Sequence, residues 1–277
     1  MNTKTWKQRL WVIASTVVIV AAVAVLVRTG KPKLYQGKTV SEWVVLLDPH
    51  VSQRVQRDAA SWAIVQIGSN AVPELQRILA RRRTAMSSLT DKVRGYAIRF
   101  GFAKPPPIHP LELQSRACEA AYNLAERSNV DITSLIPHLT YHFTNGTYAD
   151  SPAPRALAGA GSAGIAVLTN LLFTGNRNVR DQSGWAMNLY PATRRKPEVY
   201  TALIRAASGE TNGQLRANFL LYLTGSRAPA EQVVPLGLRS LRTGDAYERG
   251  MAAGLLKDYT SDENVRKALE EAVQTKE

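Results

Sequence analysis

The amino-acid sequence predicts an all-α protein, a stack of about six helical pairs preceded by one N-terminal transmembrane or signal helix. Three observations carry this. Apolar residues recur at i, i+3, i+4 and i+7, and an Arg- and Ala-rich helix alternates with one anchored by a β-branched residue at a period near 30. One apolar run near the start, residues 11–27, contains no charge. Period-2 alternation occurs only in short pieces with few paired turn signals, which disfavours strands. With 277 residues and 45% apolar content, the composition fits a folded chain with a sizeable core.

Residues 1–10 form a basic flank holding Lys4, Lys7 and Arg9. Residues 11–27 follow, with Ser15 and Thr16 as their polar side chains. That length is the short end for a helix crossing about 30 Å of hydrocarbon, and it also suits a signal-peptide core. Ala22-Val23-Ala24 offers a small-x-small cleavage pattern, but Val25-Leu26-Val27 continues the apolar run beyond it. An uncleaved anchor is therefore favoured over a cleaved signal. Arg28, Lys31, Lys33 and Lys38 balance the basic residues ahead of the run, so charge leaves orientation near a tie. So short a leader usually acts as an export signal. The expectation is a single-pass protein of the inner or plasma membrane, with its repeat domain outside the cytoplasm, periplasmic or extracellular.

Residues 28–38 read as a linker containing Pro32, Gly30 and Gly37, and residues 39–277 as the repeat domain. Thr39 and Glu42 have capping-box spacing, and Val40, Trp43, Val44 and Leu47 share one helical face. The clearest pair then runs Arg57, Ala59, Ala60, Ala63, Ile64, Ile67, Gly68, followed by Ala71, Val72, Leu75, Ile78 and Leu79. Later first helices are expected near Arg116, Arg155, Arg180, Arg216 and Arg249, and their second helices are anchored by Ile136, Ile165, Val199, Val234 and Val265. From Val72 onward the anchors are separated by 64, 29, 34, 35 and 31 residues, so the first interval holds an insertion. A short helical pair cannot bury its apolar stripe alone, and stacking neighbours gives it a shared core.

At these residues the chain resembles the HEAT-repeat proteins, in particular the short bacterial form in which Arg and paired alanines open the first helix and Gly precedes the second. Arg57-Asp58-Ala59-Ala60, Ile67-Gly68-Ser69-Asn70-Ala71 and Asn178-Val179-Arg180-Asp181 carry the likeness best, over residues 52 to 270. The segment Tyr35-Gln36-Gly37-Lys38-Thr39-Val40-Ser41-Glu42-Trp43 is similar to one that precedes such repeats in some membrane-anchored bacterial proteins. The resemblance implies an armadillo-type superhelix and leaves function open.

The formal charge of +13 is unevenly placed. The first 38 residues contribute +7, residues 77 to 104 contribute another +7, and the rest nets about zero. The second cluster belongs to a basic, Pro-containing insertion at about 81–110, which includes Pro105-Pro106-Pro107. Arg81, Arg82, Arg83, Lys92, Arg94 and Arg99 are its candidate anion or partner contacts, interleaved with Tyr96, Phe100 and Phe102. A solvated loop is the plainer account of the same residues.

No catalytic, cofactor-binding or metal residue is assigned, and no cofactor is expected. His138 and His142 have the i, i+4 spacing of a zinc pair, but no Cys or catalytic Glu accompanies them, so chance spacing is the better account. The single cysteine, Cys118, excludes an internal disulfide and sits among alanines as a buried thiol. No nucleophile elbow, phosphate loop or dinucleotide motif is present, and no small-molecule substrate is evident. The recurrent arginines are read as bridges to carboxylates or helix carbonyls of the adjacent layer rather than as a ladder for an acidic ligand. The expected function is a membrane-anchored or exported, non-enzymatic scaffold that binds a protein partner through the concave face of its second helices. The alternative is a polyanion-binding module using the insertion for anionic lipid or nucleic acid, nucleic acid being the less expected partner.

Overall fold

A computed structural model describes residues 34–50, 52–81, 99, 110–145 and 152–274; they form helices and turns, with no β-strand among them. The expected membrane segment at 11–27 lies outside the described residues, and among those described no helix is long and apolar enough to cross a membrane. The chain divides into two compact units, Met1–Val40 and Ser41–Glu277.

In the first unit the described residues make one tight hairpin. Tyr35 and Lys38 exchange backbone hydrogen bonds of 2.9 and 3.1 Å around Gln36 and Gly37. Both central residues have positive φ, 50° and 75°, as a two-residue primed turn requires.

A short helix, Val40–Val45, comes next and stops ahead of Pro49, whose ring disfavours helical backbone in the residue before it. In the larger unit Trp43, Val44 and Leu47 are buried, the face expected from their spacing. Twelve longer helices follow among the described residues. They are α1 Arg54–Ile67, α2 Val72–Leu79, α3 Pro110–Ser128, α4 Ile136–Asn145, α5 Ala153–Gly159 and α6 Gly161–Thr174. Then come α7 Arg177–Leu189, α8 Pro197–Gly209, α9 Gly213–Leu223, α10 Ala230–Thr243, α11 Ala246–Leu256 and α12 Glu263–Gln274. All six expected arginines fall in odd-numbered helices and all six β-branched anchors in even-numbered ones.

Helix starts are set by local chemistry. Asn176, Asn212 and Asp245 cap α7, α9 and α11, their side chains accepting from the backbone N–H of Val179, Leu215 and Glu248 at 3.0, 3.0 and 2.8 Å. Pro73, Pro154 and Pro197 occupy first-turn positions where no backbone donor is needed. Helix α3 begins at Pro110, about two turns ahead of the start expected near Arg116. Glu112 in its first turn suits the helix dipole and pairs with Arg116 at 2.6 Å, so the added turns are self-supporting.

Each odd helix packs on the next, α1 on α3 and so on to α9 on α11, while α2 packs on α4, α6 on α8, α8 on α10 and α10 on α12. Each even helix from α2 to α10 also packs on the odd helix that follows it, as α10 does on α11. Small residues permit this approach. Ala117, Ala120 and Ala121 of α3 and Ala156 of α5 are fully buried, and a Cβ on Gly184 of α7 would lie 2.9 Å from the Tyr222 ring of α9. Leu139, Leu157, Leu168, Leu172, Leu203 and Leu220 fill the space between layers, each worth about 1.5–3 kcal/mol of burial.

Candidate functional site

The two layers differ in how their polar groups are used. In the odd-helix layer the arginines act as stitches. Arg216 of α9 donates from Nε and Nη2 to the two carboxylate oxygens of Glu248 on α11, at 2.7 and 2.6 Å, and from Nη1 to the Glu210 carbonyl at 2.8 Å. Arg180 of α7 pairs with the Glu210 carboxylate and donates to the Leu172 carbonyl at 3.1 Å. Arg57 and Arg249 bond the Ser52 and Gly244 carbonyls, each at 3.0 Å. Arg57, Arg180, Arg216 and Arg249 are each the fourth residue of their helix, a position from which the guanidinium reaches back to the segment just before it. Of the six arginines expected to bridge adjacent layers, Arg180 and Arg216 do so through carboxylates 30 and 32 residues away, whereas Arg57 and Arg249 bond the segment before their own helix and Arg116 pairs within its own helix with Glu112 and Glu119.

Other groups of the layer are also engaged. Asp181 of α7 accepts from Asn218 and Tyr222 of α9, both at 2.9 Å, and Tyr247 of α11 donates to Asn218 at 3.1 Å. Arg155 of α5 lies over the Tyr122 ring of α3, 4.9 Å from its centre, and Arg127 of α3 donates to Ser61 of α1 at 3.2 Å. Burial first, then the Asp181 carboxylate, pushes the Tyr222 hydroxyl far above its ordinary value, so it stays a neutral donor. Val55 and Trp62 are the layer's large exposed apolar residues on α1.

The even helices present a different face. Residues at i, i+4 and i+7 stay exposed on α6 (Ala166, Asn170, Phe173), α8 (Thr201, Arg205, Ser208) and α10 (Pro235, Arg239, Arg242). Phe173 is 43% exposed, and the Arg205 guanidinium of α8, the next even helix, stands 5.2 Å from its ring centre. Adjacent even helices thus turn their outer residues to one side. This face is the candidate interface.

Of the expected contact residues, Arg81 is exposed at the end of α2, its carbonyl accepting from Gln114 Nε2 of α3, and Arg99 is exposed. Arg82, Arg83, Lys92 and Arg94 lie outside the described residues. Sequence reasoning did not single out Phe173, Arg205, Arg239 or Arg242. Their signal was the i, i+4, i+7 recurrence of non-core residues on α8 and α10, legible once the buried face is fixed.

His142 is held by its own fold, its Nε2 lying 2.9 Å from the Leu79 carbonyl. Burial, and secondarily His138, lowers its proton affinity, so the neutral ring donates to that carbonyl. No group of three His, Cys, Asp or Glu suited to a metal occurs among the described residues. The Cys118 thiol is buried and pushed up to about 12 by desolvation. A recess of about 220 Å³ is lined by Ala125, Asn129, Val130, Asp131, Ile132 and the Gly159-Ala160-Gly161 turn. Its one carboxylate, Asp131, accepts from the Thr133 N–H at 2.8 Å and so serves as a turn cap. Comparison with protein-family models, curated proteins and solved structures finds no match.

Proposed function

We propose that residues 39–277 form a HEAT-like solenoid, an armadillo-type superhelix, held at the cell envelope by residues 11–27, and that it is a non-catalytic scaffold for a protein partner. The observation that carries this reading is the asymmetry between layers. Among the odd helices Arg216, Asp181, Asn218, Tyr222 and Tyr247 bond across from one helix to the next, whereas α6, α8 and α10 leave an exposed face that holds Phe173, polar residues and Arg205, Arg239 and Arg242. A face with three arginines beside one exposed aromatic ring suits protein recognition, since Arg and aromatic side chains are enriched at such interfaces. Regular nearest-neighbour packing supports the solenoid, since each helix meets those one or two places along the chain.

Photo-cross-linking residues placed in the full-length protein in native membranes test the reading. Adducts to a protein are expected from Asn170 and Thr201 and not from Gln56 of α1; adducts from Gln56 alone, or none, would refute it. A C-terminal reporter active only in the cytoplasm is expected to be silent, and activity there would refute the placement.

A further inference from the structure

The even-helix face has a charge pattern that specifies more than "a protein partner". Arg205 on α8 and Arg239 and Arg242 on α10 are exposed and lie in the C-terminal halves of two helices that pack side by side. None of the three is joined to a carboxylate among the described residues, unlike Arg180 and Arg216 of the odd layer. The carboxylates on the same two helices, Glu198 and Glu231, sit in the first turns. At 1.5 Å per residue they are about 10–12 Å from Arg205 and Arg239, too far to neutralise them. Phe173 adds a large apolar surface beside Arg205. On α12 the exposed Lys267 is accompanied by Glu270, so the purely basic row ends at α10.

Helix dipoles favour a cation in a last turn, which accounts for Arg242. They do not account for Arg239, a turn further in, nor for an exposed Phe173 stacked by the arginine of its neighbour.

We propose that Phe173, Arg205, Arg239 and Arg242 dock an acidic polypeptide segment that carries an aromatic or large apolar residue among its carboxylates. Arg forks take carboxylates bidentately, and the Phe173 ring supplies the contact for the apolar residue. The inference rests on the scaffold reading and names the chemistry of its partner.

Fluorescence anisotropy on the full-length protein in detergent micelles tests it, with a labelled peptide of about ten residues in which Glu alternates with Gly around one Phe. Binding is expected, weakened about tenfold by Arg239→Glu with Arg242→Glu, by replacing the peptide's Glu with Gln, and by raising salt. Phe173→Ala is expected to weaken the Phe peptide and leave its all-Gly counterpart unchanged. These are surface positions, and an unchanged melting curve confirms that the variants fold. Equal binding of the Gln peptide, indifference to charge reversal, or equally tight binding of an oligonucleotide of matched charge would overturn the proposal. If cross-links from Asn170 and Thr201 persist in the charge-reversed protein, the acidic-segment inference fails while the scaffold reading stands.

Discussion

Arg216 and Glu248 join the fifth and sixth helix pairs by two parallel hydrogen bonds, guanidinium to carboxylate, 2.7 and 2.6 Å long. Glu248 is only 1% exposed, and its charge survives burial because the Arg216 guanidinium holds both carboxylate oxygens. Removing one member of such a pair strands the other. Arg216→Met is therefore expected to destabilise the protein by about 3 kcal/mol, and Arg216→Lys by less than Arg216→Met although it loses the bidentate geometry. Urea denaturation of the full chain checks this, and a midpoint unchanged in Arg216→Met would remove the stitch as a source of stability.

Three depressed proton affinities, of Glu248, Glu74 and His142, set an acid limit in two steps. For Glu248, burial alone would raise the carboxyl, but the hydrogen bonds from Arg216 lower it below its ordinary 4.5. Glu74 is lowered likewise by Arg77, partly offset by burial. Such carboxylates stabilise above the unfolded value and lose that contribution as pH falls through the folded one, so their step lies below about pH 4.5. His142, lowered mainly by burial beneath 6.5, binds its proton more readily unfolded, and stability starts to fall below about pH 6.5. Melting temperature against pH is expected to show both declines, with the higher one absent in His142→Gln. A flat profile from pH 7 to 5 in the native protein would contradict the assignment.

Cys118 gives a direct readout of global unfolding. It is buried in α3, and desolvation holds its thiol protonated, up to about 12. A maleimide needs the thiolate and access to it, and the native fold denies both. Labelling at neutral pH is expected only in denaturant, tracking the loss of helix by circular dichroism. Rapid modification of the native protein would mean that α3 opens independently.

The helical character and the order of the helices were legible in the sequence because their cause is local. The apolar periodicity of α1 and α2 and the recurrent Arg follow from residues a few places apart. Glu248 shows why the partners were not. It stands three residues after Asp245, where it reads as an ordinary first-turn acid, and its arginine is 32 residues away. Phe173 is similar. Its composition resembles core, and only the phase of α6, with Leu168, Leu171 and Leu172 buried, puts it outside. The candidate face thus depended on knowing which side each even helix buries, which sequence period alone fixes to about one residue.

Two glycines in similar helical settings are expected to respond in opposite directions. A Cβ on Gly164 of α6 would fall on the Leu157 carbonyl of α5, and backbone cannot retreat as a flexible side chain can. Gly254 of α11 is exposed, with nothing within 4 Å of the Cβ site. Gly254→Ala is expected to stabilise by about 0.5–1 kcal/mol, through helix propensity and a smaller unfolded-state entropy. Gly164→Ala gains the same propensity but must separate α5 from α6, and a net loss of about 1–3 kcal/mol is expected. Paired thermal melts decide it. If Gly164→Ala were as stable as Gly254→Ala, the close approach of α5 and α6 would not be the reason glycine stands there.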